Sequence, residues 1–185
     1  IEDGYSSDPE LVGQLVGQLA QAGVVGINIE DGNDAPELLA RKIAAARAAA
    51  RQAGIDLYIN ARCDVYLRAL AEPGARVAEM LRRAAIYQQA GASGLFAPGV
   101  TDEAEMAALA QGTSMPLNVL ARPGLASPAR LSELGVRRLS AGSSPAEVML
   151  GRLRVYMERF HQSGAIDDEQ TFHYGPLNAL MSTAR

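Results

Sequence analysis

The chain has a single cysteine, Cys63, so no disulfide can form within it. That fits a reducing compartment and points to the cytoplasm. It has no basic run: 17 Lys and Arg residues stand against 21 Asp and Glu, for a net charge of −4. Nucleic acid is a poor partner for such a chain, because phosphates need clustered cations. No stretch approaches the roughly 20 apolar residues that span a bilayer. The opening residues Ile1-Glu2-Asp3-Gly4-Tyr5 have neither the basic nor the apolar region of a signal peptide. Neither nucleic acid nor a membrane is therefore expected as a partner. What remains is an ordinary globular composition, 48% hydrophobic over 185 residues, enough for one domain around a single core.

Short apolar runs alternate with longer helical stretches. Val24–Ile29, Asp56–Ala61, Gly94–Ala97, Pro116–Leu120 and Val136–Ser140 read as strands, four of them opened by a glycine just before or at their start. Between them the spacing predicts helices. Asp8 caps the first, with Pro9 in its first turn, and others run over Pro36–Ala53, Gly74–Ala90 and Asp102–Ala110. A short helix opens at Ser127-Pro128, and a long one, capped by Ser144 and Pro145, carries Met149, Leu153, Tyr156, Met157 and Phe160. This alternation forces parallel strands with right-handed crossovers, as either an open doubly wound sheet or a closed (β/α)8 barrel. No Gly-rich phosphate turn follows any strand, which weakens the dinucleotide-binding version and an oxidoreductase with it. The expected fold is thus α/β, a parallel (β/α)8 TIM-type barrel. About six strand–helix units are legible from Ile1, and a full barrel takes roughly 250 residues. The chain also opens without Met on what reads as a strand end. An N-terminally truncated barrel over 1–160 is expected, with the first units missing, followed by a C-terminal tail over 161–185. In that tail Asp167-Asp168-Glu169 precedes Leu177, Leu180 and Met181, which suit a short amphipathic helix.

Active sites of parallel barrels gather at the C-terminal ends of the strands, and strand side chains alternate between faces. Asn28 and Glu30 share one face of their strand. Asn60, Arg62 and Asp64 share one of theirs, opposite Cys63. Asn118 is the polar member of its apolar run. Polar groups inside apolar strands cost free energy unless paired, so three strands doing this near their ends mark a candidate site. The competing reading is an internal Glu–Arg ion pair with amide bonds that merely plugs the barrel.

The same residues carry a family resemblance. Glu2-Asp3-Gly4-Tyr5-Ser6 resembles the end of the acidic Asp-x-Asp-x-Gly-Tyr-Gly signature of the isocitrate lyase/phosphoenolpyruvate mutase superfamily. Val24–Gly32 is similar to its "ED" strand and Asn60-Ala61-Arg62-Cys63-Asp64 to its "ARTD" strand. Gly91–Phe96, Pro116–Val119 and Leu134–Ser140 follow in the same order. The resemblance runs from Ile1 to about Phe160. It implies a Mg²⁺ held by an acidic cluster, largely through waters, with Glu30 and Glu2 as metal-site acids. Arg62 matches the arginine that grips a substrate carboxylate, Asn118 a substrate-side amide, and the Gly4-Tyr5-Ser6 turn a source of N–H groups near an anion. Tyr5 is a candidate proton donor near the metal, weighed against a structural role for its hydroxyl. The implied chemistry makes or breaks a C–C or P–C bond next to a 2-oxo acid through an enolate. The resemblance also implies a homo-oligomer, a dimer or tetramer, with Ser144–Phe160 as a helix exchanged between copies.

The departures limit what carries over. The lyases' Lys-Lys-Cys-Gly-His loop is replaced by Gly32-Asn33-Asp34-Ala35-Pro36, and Ala97-Pro98-Gly99 stands where the mutase has a His and the methylisocitrate enzyme a Glu. Both histidines, His161 and His173, fall beyond the last strand and read as solvated. Arg137 and Arg138 read as rim or helix-facing charges, and Cys63 as a packed thiol. The leading expectation is a Mg²⁺-dependent lyase, mutase or hydrolase acting on a small carboxylate. The alternative is a catalytically silent barrel that only binds a small acid.

Overall fold

The structure, a computed structural model, describes residues 1–165 and 172–182. The acidic Asp167-Asp168-Glu169 triplet lies outside the described residues. Two compact units form, Ile1–Ala141 and Gly142–Arg185.

The first unit is a parallel five-stranded sheet in sequential order, with strands β1 (Gly26–Glu30), β2 (Tyr58–Arg62), β3 (Gly94–Ala97), β4 (Leu117–Leu120) and β5 (Val136–Ser140). Five strands form among the described residues, one fewer than the six units expected. The sixth is reduced to a fragment: Ile1 donates its amino group to the Asn28 carbonyl, and the Glu30 N–H donates to the Glu2 carbonyl at 2.9 Å. The first residues thus run along the free edge of β1.

Helix α1 (Pro9–Gln21) precedes β1, and α2 (Pro36–Gln52), α3 (Arg76–Ala90), α4 (Glu103–Gly112) and α5 (Pro128–Glu133) make the crossovers. Asp8 caps α1 by accepting from the Glu10 N–H, and Asp102 caps α4 by accepting from the Glu105 N–H. A 3₁₀ turn at Pro73–Ala75 leads into α3, which therefore starts two residues later than its spacing predicts. One sheet face is apolar: Ile27, Ile29, Ile59, Ala61, Cys63, Leu95, Ala97, Leu117 and Val119 pack with Val12, Val16, Leu39, Ile43, Met80, Tyr87, Met106 and Leu109 of the helices. The other face carries the polar residues, so parity alone sorts the core from the site.

In the second unit α6 (Ser144–Ser163) and α7 (Tyr174–Ser182) are helical. The cap of α6 falls on Ser143 rather than Ser144. Its hydroxyl donates to Glu147 Oε1 at 2.6 Å and makes no bond to the helix backbone. None of the residues of α6 is buried.

Candidate active site

The strand register lines the polar residues up. Asn28 stands opposite Asn60 and Glu30 opposite Arg62, both pairs on the C-terminal half of the sheet. Asn60 donates its amide to Asn28 Oδ1 at 2.8 Å, while its own Oδ1 is buried without a partner. Arg62 forms a 2.8 Å ion pair with Glu30, and its fork grips Asp64 through Nε at 2.7 Å and a second nitrogen at 3.0 Å. Arg68 adds a third contact to Asp64 at 3.1 Å.

Burial raises the Glu30 pKa above the ordinary carboxylate value. Arg62 opposes that shift, whereas the negative charges of Asp64 and Glu2 add to it. Burial works against the charge on Arg62 too, but the Asp64 hydrogen bonds and the carboxylates of Asp64 and Glu30 hold its pKa above normal. Both groups therefore stay charged only because each faces the other.

Beneath this pair lies a buried layer that sequence reasoning missed. Asp31, 2% exposed, accepts from the Asp64 N–H at 2.8 Å, from Arg83 at 2.8 Å and from the Tyr87 hydroxyl at 2.5 Å. Arg83 is also tied to Glu79 at 2.7 Å. Asp31 follows Glu30 directly, so its side chain takes the opposite face, and Arg83 and Tyr87 are one turn apart on α3. Those two spacings were the available signal. The Cys63 thiol, fully buried, is pushed well above its ordinary pKa by burial and by Asp31, so it is a packed thiol as expected and no nucleophile.

The loop before α1 is held in an unusual backbone. Glu2 and Tyr5 have φ of 47° and 59°, and Gly4 has φ of 92°. A Cβ at Gly4 would fall 2.7 Å from Val12, so only glycine fits. Lys42, the chain's only lysine and 1% exposed, reaches from α2 to the Asp3 carbonyl at 2.8 Å and anchors this loop. The Gly4 N–H is spent on the Ile1 carbonyl and the Tyr5 N–H on the Asp3 carboxylate. These two donors are thus committed within the turn. The Tyr5 ring is 69% exposed, so it is not the buried ring that a structural hydroxyl would need. Asn118 is buried and exchanges hydrogen bonds with the Ser140 hydroxyl on β5 at 2.9 and 3.0 Å.

As a cation site, Glu30 and Glu2 offer hard carboxylate oxygens within Coulombic reach of each other. Among the described residues no cluster of three or more His, Cys, Asp or Glu side chains could hold a metal. That donor set fits an ion that keeps most of its waters, as Mg²⁺ does. It does not fit zinc, which is enclosed by Cys and His. The two largest hollows of the surface lie elsewhere. One, about 250 Å³, is lined by Leu131, Val136, Arg138 and Leu139; the other, of similar volume, is between α1 and α2.

A parallel β/α sheet whose polar face gathers an acid, a forked arginine and amides near its strand ends has the layout of the β/α-barrel enzymes. The chain belongs to the phosphoenolpyruvate phosphomutase family, which it matches over residues 1–161. It is 42% identical over 147 residues to an uncharacterised protein of Mycobacterium tuberculosis (strain ATCC 25618 / H37Rv), a match covering 78% of this chain and 54% of that one. It is 32% identical over 142 residues to the oxaloacetate decarboxylase of Pseudomonas entomophila (strain L48), covering 74% and 48%. The chain therefore spans about half the length of the curated relatives it matches. Its fold is shared with phosphonopyruvate hydrolase, solved in complex with oxalate and Mg²⁺, with a TM-score of 0.80 and 24% identity over 99% of this chain and 67% of that one. No helix among the described residues is long and apolar enough to cross a membrane.

Proposed function

We propose that this chain carries the acid–arginine half of an enzyme site that makes or breaks a C–C or P–C bond next to a 2-oxo acid, with Mg²⁺ as cofactor. The observation that carries the reading is the Arg62 guanidinium. Asp64 holds it from one side at 2.7 and 3.0 Å, and it presents its remaining donor to Glu30 at 2.8 Å. A fork anchored this way is already aimed when a carboxylate arrives. Arg62 would bind the substrate carboxylate and face the charge that develops on the 2-oxo oxygen. Glu30 and Glu2 would hold Mg²⁺ through its waters, and the bound ion would supply a second positive charge at that oxygen. Asn118, fixed by Ser140, would orient the substrate. Gly4 would shape the loop around the anion. Tyr5, exposed on that loop, remains the proposed proton donor. The sheet, with the Ile1–Glu2 segment beside it, is read as a sector of a (β/α)8 barrel. Copies are proposed to assemble through α6.

A silent scaffold is the second reading, and one observation favours it: in the absence of ligand Arg62 is fully matched by carboxylates. Calorimetric titration with oxalate, with and without Mg²⁺, separates the two. The enzyme-site reading predicts Mg²⁺-dependent binding that weakens at least about tenfold in Arg62→Lys, because a point charge cannot bridge Asp64 and a ligand together. Binding that ignores both Mg²⁺ and the substitution sinks it.

A further inference from the structure

We propose that Arg138 grips the far end of the substrate, so that the site selects an acid carrying a second anionic group, carboxylate or phosphonate, beyond the one on Arg62. The inference rests on the function proposed above and adds its specificity residue. The sheet register runs in one row from Glu30 to Arg62, Phe96, Asn118 and Arg138. Residues paired across parallel strands point to the same face, so Arg138 shares the polar face with Arg62. Sequence reading had left it as a rim or helix-facing charge.

A bulge is what places it there. Between Leu117 and Asn118 strand β4 advances one residue while β5 advances two, from Val136 to Arg138. Without the extra residue, Arg138 would pair with Val119, which is fully buried among the helices. The bulge therefore turns an arginine away from the core and onto the site face, a recognised use of such irregularities. Beside it, Asn118 and Ser140 are locked together by their hydrogen bonds.

Arg138 differs from the other arginines of the site in having no counter-charge. Arg62 is matched by Glu30 and Asp64, and Arg68 by Asp64. Arg138 makes no hydrogen bond or ion pair among the described residues. It also borders the hollow lined by Leu131 of α5, since β5 ends the sheet, but its strand partner fixes which face its side chain leaves from. A guanidinium held on a polar face without a partner is a fork waiting for an oxyanion. Three strand spacings separate it from Arg62, about 14 Å along the sheet. Two long side chains converging from there can clasp a small dianion but not oxalate, which is too short to leave Arg62.

The test compares ligand lengths by calorimetry with Mg²⁺ present. Oxalate probes the Arg62 end alone, 3,3-difluorooxaloacetate adds a distant carboxylate, and phosphonopyruvate adds a distant phosphonate. Arg138→Gln is expected to weaken one or both longer probes at least about tenfold, the loss of one charge-assisted fork, and to leave oxalate within twofold. Whichever longer probe responds identifies the second group. Arg138→Lys should restore part of the loss, and Arg137→Gln should change nothing. Because Arg138 is exposed, the melting temperature should not move. If oxalate binds but both longer probes ignore Arg138→Gln, or all three weaken equally, the proposal is overturned and the Arg62 site stands. If oxalate itself fails to bind the unsubstituted chain, the proposed function falls and takes this inference with it.

Discussion

Arg62 is positioned through a chain of contacts that starts well away from it. Tyr87 and Arg83 fix Asp31, Asp31 fixes the backbone of Asp64, and the Asp64 carboxylate fixes the guanidinium. Asp31→Asn removes the charge that Arg83 was buried to meet. Loss of one member of a buried pair costs roughly 3–5 kcal/mol, and here Glu79 still holds the other side of Arg83. A loss of about 3 kcal/mol in denaturant unfolding is therefore expected, and a change below about 1 kcal/mol would mean that Asp31 is a passenger. Glu30, Arg62 and Asn118 were legible in the sequence, because a polar side chain inside an apolar strand announces its face. Asp31 and Lys42 were not, because a buried charge is recognisable only once its partner is known. The partners here lie 52 residues from Asp31 in one case and 39 from Lys42 in the other.

At the scale of elements, α3 carries the electrostatic support of the site. Glu79 accepts from Arg82 at 2.8 Å and from Arg83 at 2.7 Å, spacings of three and four residues that face each other on a helix. These hydrogen bonds, Arg82 first, pull the Glu79 pKa from 4.5 down to about 2 against the opposing effect of burial. A depressed carboxyl pKa stabilises the fold above the unfolded value, and that stability is lost as pH falls through the folded one. Glu79→Gln should thus be less stable than the parent at pH 7. The gap should close between pH 4.5 and about 2 in thermal melts taken across that range. A gap that is constant with pH would contradict the assignment. All five strands and the helices were visible in the periodicity to within about two residues. The bulge in β5 was not, because Val-Arg-Arg-Leu-Ser has no glycine or proline to betray an extra residue. That is why Arg138 was placed on the wrong face.

For the whole molecule, the fold class followed from alternation alone, whereas the number of strands did not. The first strand fragment contributes only Ile1 and Glu2 to the edge of β1, too little to read as an element. In the second unit, Met149 is 66% exposed, Leu153 53% and Phe160 46% on a helix with no buried residue. An apolar surface of that kind marks an association site. Light scattering after size exclusion should show assembly that increases with concentration. Leu153→Glu combined with Met157→Glu should return the chain to a monomer without loss of oxalate binding. A parent that stays monomeric throughout would remove α6 from the account.

The central claim is that one guanidinium, pre-aimed by Asp64, exchanges Glu30 for a ligand. A crystal structure with Mg²⁺ and oxalate tests it most directly. The expected result keeps both Arg62 contacts to Asp64, moves the remaining donor from Glu30 onto oxalate, and places the cation between the ligand and Glu30. Oxalate bound elsewhere, with the 2.8 Å Arg62–Glu30 pair intact, would contradict it.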